Sequence, residues 1–213
     1  ANYDNGASDY MSNYFMNLLR TDYGLTDPRV RYYFYRQVKT NTVDPNELGC
    51  IGTTPPSHYS TSDPYCQLSA GYWGRDHGDN DGIPPDNLKR TIWGIYPIGG
   101  KFDRNAAGAG SQTAGAKGAG ISPIMLDFYV DFMRAEAALM GTGEDARTLL
   151  EEAVTGSIQK VLHFPAEAGY TMQSADLAVV PSSAAVDSYV DAVLTQYDAA
   201  ASDEERLEVI SRE

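Results

Sequence analysis

The stretch that decides the fold is SPIMLDFYVDFMRAEAALMG, residues 122–141. Met125, Phe128, Tyr129, Phe132, Ala135, Glu136, Leu139 and Met140 recur at steps of three and four, a mostly apolar stripe of helical period. Ser122-Pro123 supplies a cap and a proline at the first helical position, and Gly141 supplies the stop. A second helix is expected to start near Thr142–Glu144, burying Leu149, Leu150, Ala153, Val154, Ile158, Val161 and Leu162. The short Gly141-Thr142-Gly143 link makes the two a helical hairpin. A third helix carries Val186, Tyr189, Val190, Val193, Leu194 and Tyr197, and Ser202-Asp203-Glu204-Glu205 opens a fourth as a capping box. Two helix pairs in succession suggest a tetratricopeptide-like array.

Working outward, residues 26–121 hold most of the glycines, prolines and aromatic residues, with little helical periodicity. Before them, residues 8–20 place Met11, Tyr14, Phe15, Leu18 and Leu19 at helical spacing behind a Ser8 cap. The expected fold is mainly α: a helical start over 1–25, a large irregular loop-rich region over 26–121 that faces the ligand, and a helical, tetratricopeptide-like part over 122–213. Between Arg104 and Ile121 runs an alanine- and glycine-rich segment with few bulky side chains, expected to be a mobile surface loop, a flexible linker in preference to a functional lid.

Composition excludes some functions. Asp and Glu number 29 against 16 Lys and Arg, a formal net charge of -13. Such a surface repels phosphate backbones and anionic lipid, so no nucleic-acid partner is expected. The 15 tyrosines offer flat faces and hydroxyls suited to recognition. Two cysteines, Cys50 and Cys66, could form a disulfide in an exported protein or remain free thiols.

Catalytic and cofactor motifs are missing. The three histidines, His58, His77 and His163, match no metal-ligand spacing. There is no GxSxG elbow, and Gly115, Gly118 and Gly120 follow no strand and lack a correctly placed lysine, so no phosphate loop is read. Asp76, Asp79, Asp81 and Asp86 crowd one turn-rich loop. The EF-hand offset for calcium fails there because His77 and Leu88 stand where oxygen ligands are needed, and the preferred reading is a turn-rich acidic loop in which Asp76 pairs with Arg75 or caps a turn. A glycosidase carboxylate pair on the Asp76–Asp86 loop stands as the rival reading to binding. No cofactor, metal or catalytic residue is assigned.

Aromatic residues flank that loop. Tyr59, Tyr65, Tyr72 and Trp73 precede it, and Trp93 and Tyr96 follow. Together with Arg75, Asp76 and Asp79, the residues Tyr72, Trp73, Trp93 and Tyr96 form the candidate set for a sugar or peptide ligand. The competing reading is that the tryptophans fill the core; it is the preferred one for Trp93.

Four elements carry a family resemblance. Gly71-Tyr72-Trp73-Gly74-Arg75-Asp76-His77-Gly78-Asp79 through Ile83-Pro84-Pro85-Asp86 resembles the "GRDxGD…PPD" stretch of the SusD/RagB family. Thr91-Ile92-Trp93-Gly94-Ile95-Tyr96-Pro97-Ile98-Gly99-Gly100-Lys101-Phe102 resembles its "YPxGG" stretch. Leu25-Thr26-Asp27-Pro28-Arg29-Val30-Arg31-Tyr32-Tyr33-Phe34 is similar to its "DPRxxYYF" element, and Met133-Arg134-Ala135-Glu136-Ala137-Ala138-Leu139 to its "xxAEAxL" helix. The order is the family's, over about residues 20–160.

The resemblance implies an all-α body with tetratricopeptide-like pairs and a loop-rich ligand-bearing part. It also implies a non-enzymatic lipoprotein of the Bacteroidetes outer membrane, exposed at the cell surface. Such a protein captures glycans or peptides for a SusC-like TonB-dependent transporter. On this reading the chain is a fragment of one domain, with its lipid anchor on a segment preceding Ala1. Structural scaffolding of the transporter is a third possibility.

Overall fold

The computed structural model describes residues 11–39, 67–68, 71–75, 89–108 and 114–213. In chain order its elements are α1 (Asn13–Thr21), α2 (Val30–Tyr33), β1 (Phe34–Arg36), β2 (Gln67–Leu68), β3 (Tyr72–Trp73), β4 (Thr91–Trp93), α3 (Asp127–Leu139), α4 (Ala146–Glu167), α5 (Ser174–Leu177), α6 (Ser183–Ala199) and α7 (Asp203–Arg212). The described residues are mainly α-helical, with strands of two or three residues only.

The helical layer follows the apolar periodicity. Asp145 caps α4 by accepting a hydrogen bond from Thr148 N–H at 2.7 Å. Along α4, Leu149, Leu150, Ala153, Val154, Ile158 and Val161 are buried. Most of them meet Tyr189, Val190, Val193, Leu194 and Tyr197 of α6 and Val209 and Ile210 of α7 in one apolar cluster. Fully burying each of these aliphatic side chains stabilises the fold by about 1.5–3 kcal/mol before conformational entropy is counted. Ser202 accepts from Glu205 N–H at 3.2 Å, as a capping box requires. The returning Glu205 carboxylate accepts from Ala201 N–H rather than from Ser202, one residue short of the expected reciprocal pair.

Two expected helix starts move. Helix α3 begins at Asp127 with Leu126 as its N-cap, not at Ser122-Pro123. Ile121 N–H donates to Pro97 O at 2.8 Å, so the preceding chain is held along the 97–101 loop and must turn before the helix begins. The first helix begins at Asn13, where the extended Ser12 accepts from Phe15 N–H. Ser8 lies outside the described residues. Helical bonding at residues 11–12 is displaced by a tertiary pairing: Asn13 N–H donates to Arg75 O at 2.9 Å and Arg75 N–H to Met11 O at 3.0 Å.

The irregular region is organised by two antiparallel pairs, β1 with β4 and β2 with β3. Thr91 ties the pairs together, because its hydroxyl accepts from Trp73 N–H at 2.9 Å. Buried Arg36 on β1 meets the fully buried Asp103 carboxylate at 2.5 Å. Tyr32, Ile95, Tyr96, Phe102 and Ala116 pack against Val161 and Phe164 of α4. That helix therefore presents its first half to the helical core and its second half to the irregular one.

The described parts of the alanine- and glycine-rich segment are anchored, contrary to the expectation of a mobile linker. Ala116 N–H donates to Gly100 O at 3.1 Å and Gly118 N–H to Gly99 O at 3.0 Å. Backbone lies directly on backbone: a Cβ on Gly115 would sit 1.9 Å from Gly100 O. Here glycine serves close approach, and the absence of bulky side chains is what allows it.

Candidate functional site

The loop that follows β4 builds one wall of a cavity. Trp93 pairs with Phe34 across the β1–β4 ladder. Gly94 N–H donates to Tyr33 O at 2.6 Å and Tyr96 N–H to Tyr32 O at 2.9 Å, clamping the loop onto α2. Only glycine fits at 94, since a Cβ there would lie 2.3 Å from Tyr32 O. The clamp sets Trp93, Tyr96 and Pro97 opposite Phe128, Tyr129, Phe132, Met133 and Glu136 of α3. Ser157 of α4, Ile210 and Ser211 of α7, Glu213, Phe15, Tyr33 and Pro123 also line the space. Its volume is about 530 Å³, within the range of small-molecule sites.

The rings brace one another before any ligand arrives. Tyr33 and Tyr96 lie 5.6 Å apart at 63°, and Phe128 and Tyr129 4.7 Å apart at 75°. Phe15 is 40 % exposed and Met133 54 %, so the mouth is apolar and open to solvent. Burial pushes the Tyr33 hydroxyl's pKa up to about 12, keeping it neutral and able to donate.

Behind the cavity sits an ionic knot made by the Asp27-Pro28-Arg29 stretch. The Arg29 guanidinium meets Asp27 at 2.6 Å and Glu213 at 3.0 Å, with all three side chains nearly inaccessible. Its Nη1 donates to Ser157 Oγ at 2.8 Å, and Tyr189 Oη donates to Glu213 at 3.0 Å. Burial disfavours the Arg29 charge, yet Asp27 and then Tyr33 and Glu213 hold its pKa well above the ordinary value. Burial raises the Glu213 pKa, and Arg29 opposes that rise.

The candidate residues are distributed unevenly about this site. Trp93 and Tyr96 line the cavity together. Trp93 is partly buried: it packs against the cluster of Met11, Met16, Phe34 and Tyr72, in keeping with the core reading, and it also lines the cavity. Trp73 is the fully enclosed tryptophan, at 0 % exposure. Tyr72 is buried beneath two guanidinium groups, Arg20 and Arg36, each 4.9 Å from its ring centre. The backbone of Arg75 pairs with Met11 and Asn13, and it does not line the cavity. Asp76, Asp79, Asp81 and Asp86, together with Cys50 and Cys66, lie outside the described residues.

Phe128, Tyr129, Phe132 and Glu136 stand in the apolar stripe read from the sequence without a binding role, and Met133 is not singled out at all. Of the apolar stripe on α3, Phe128 and Ala135 are buried and Phe132 and Leu139 pack partly buried against the helical core, while Phe128, Tyr129, Phe132 and Glu136 also line the cavity. The available signal was Glu136, a carboxylate inside an otherwise apolar stripe.

Among the described residues, no group of three or more His, Cys, Asp or Glu side chains could hold a metal ion. No described helix is long and apolar enough to cross a membrane. Comparison of the chain with protein-family models, with curated proteins and with solved structures returns no match.

Proposed function

We propose that this chain is a non-enzymatic binding protein of the SusD/RagB type, capturing an oligosaccharide or peptide in the aromatic cavity between the Trp93–Pro97 loop and α3. The observation that carries the reading is the cavity's composition. Trp93, Tyr96 and Pro97 of its lining come from the stretch 91–102 that resembles the family, and Met133 and Glu136 from the stretch 133–139. A ring such as Trp93 stacks on a sugar's C–H face or a peptide's side chain, while tyrosine and serine hydroxyls pair with polar groups. The α3–α4 and α6–α7 pairs are read as tetratricopeptide-like. A SusC-like TonB-dependent transporter as partner, and a lipid-anchored position at the outer-membrane surface, are proposed on the sequence resemblance alone.

Calorimetric titration of the protein with a panel of oligosaccharides and short peptides tests the reading. Binding of at least one class is expected, with loss of it in Trp93→Ala. Absence of heat for every member, or binding untouched by Trp93→Ala, would contradict it. Release of new reducing ends from the oligosaccharides would favour instead a hydrolase working through the Asp76–Asp86 loop.

A further inference from the structure

Charge is distributed one-sidedly around the aromatic cavity. The side chains lining it that can carry a charge at neutral pH are both acidic, Glu136 on the α3 side and Glu213 beside the Arg29 knot. Among the described residues, no lysine, arginine or histidine lines it. Arg29 lies behind Glu213, is enclosed at 3 % exposure, and is fully engaged with Asp27, Ser157 and Glu213. That knot places two carboxylates against one guanidinium. Glu136 is exposed and forms no ion pair among the described residues.

The walls act in the same direction as the carboxylates. The rings of Trp93, Tyr96, Tyr33 and Phe132 line the space, and an aromatic ring attracts a cation that docks on its face, the negative end of its quadrupole. A positive group inside meets these rings and the Glu136 carboxylate, with the carboxylate's attraction partly screened at the solvent-open mouth. An anion meets repulsion from both and has no lining cation to pair with. We propose that the cavity selects an organic ammonium: a positively charged nitrogen borne on an apolar or ring-bearing body. This rests on the binding-site reading above for its location, and adds the ligand's charge.

The test uses three probes that share a benzyl body and differ in charge: benzyltrimethylammonium, benzyl alcohol and phenylacetate. Calorimetry on the whole chain is expected to show the ammonium binding about tenfold more tightly than the alcohol, the scale of a partly desolvated cation on aromatic faces. Phenylacetate is expected to bind more weakly than either. Glu136→Gln, a change at an exposed position that leaves the helix intact, is expected to weaken the ammonium about threefold and leave the alcohol unchanged. Equal binding of the alcohol and the ammonium, tighter binding of phenylacetate, no binding of the ammonium, or an unaltered ammonium affinity in Glu136→Gln would overturn the proposal. An oligosaccharide that binds through Trp93 while the probes show no charge preference would leave the binding function standing and remove only the cation selectivity.

Discussion

Replacing Arg29 with methionine is the most informative single disturbance of this fold. Methionine keeps an unbranched apolar stem and deletes the guanidinium. Asp27 and Glu213 are then left enclosed at 0 % and 3 % side-chain exposure without their common cation, and Ser157 loses its donor. Removing one member of a buried ion pair costs about 3–5 kcal/mol, because the remaining charge stays desolvated. For a chain of this size that corresponds to a fall in Tm of about 6–20 °C. Urea melts followed by helical circular dichroism are expected to show a lower midpoint with an unchanged slope. The loss also has a pH signature. Burial holds the Glu213 pKa above its unfolded value of 4.5, so the folded state binds that proton more tightly. Such a group contributes stability that is fully present below pH 4.5 and is lost as pH rises through the folded pKa. Arg29 normally limits the rise; without it the shift grows, and the variant is penalised more at pH 8 than near pH 5. A loss below about 1 kcal/mol, the level of an exposed pair, or one independent of pH, would refute this reasoning.

Other outcomes follow from the same contacts. Gly115→Ala is expected to destabilise clearly more than Gly118→Ala: both have positive φ, but only the Gly115 Cβ would strike backbone, while Gly118 faces open space. Paired thermal melts check this, and equal losses would mean the segment is not strapped to Gly100. Trp73→Ala should cost about 3–5 kcal/mol in chemical denaturation, as for a fully enclosed ring, whereas Trp93→Ala should act mainly on ligand binding. Ser202→Ala should lose about 1 kcal/mol through the α7 cap in a urea melt.

The helical layer was legible because its signals are local. The apolar residues of α4 and α6 fall on one face at the expected spacing, and Ser202 caps α7 as its sequence predicts. What escaped sequence reading depends on contacts between distant parts of the chain. Ser122-Pro123 has the chemistry of a helix start, but the bond from Ile121 to Pro97 outweighs it. The glycine at 115 looks like a linker residue and instead admits the neighbouring Gly100 backbone, and Gly118, though open on its Cβ side, is held by its N–H bond to Gly99 O. Trp73 and Trp93 are alike in local sequence, each next to glycine in an aromatic stretch. Only the pairing of β4 with β1 and the placement of α3 separate the enclosed ring from the one at the cavity. Arg29 and Arg36 likewise find carboxylates, Glu213 and Asp103, far away in sequence.

The most direct test of the binding account is where a ligand lies. A crystal structure of the protein saturated with the tightest binder from the oligosaccharide, peptide and ammonium probes should show it stacked on Trp93 and Tyr96, with Phe132 and Glu136 on its other side. A ligand bound instead along the Asp76–Asp86 loop, with the cavity between Trp93 and α3 left to solvent, would contradict the account.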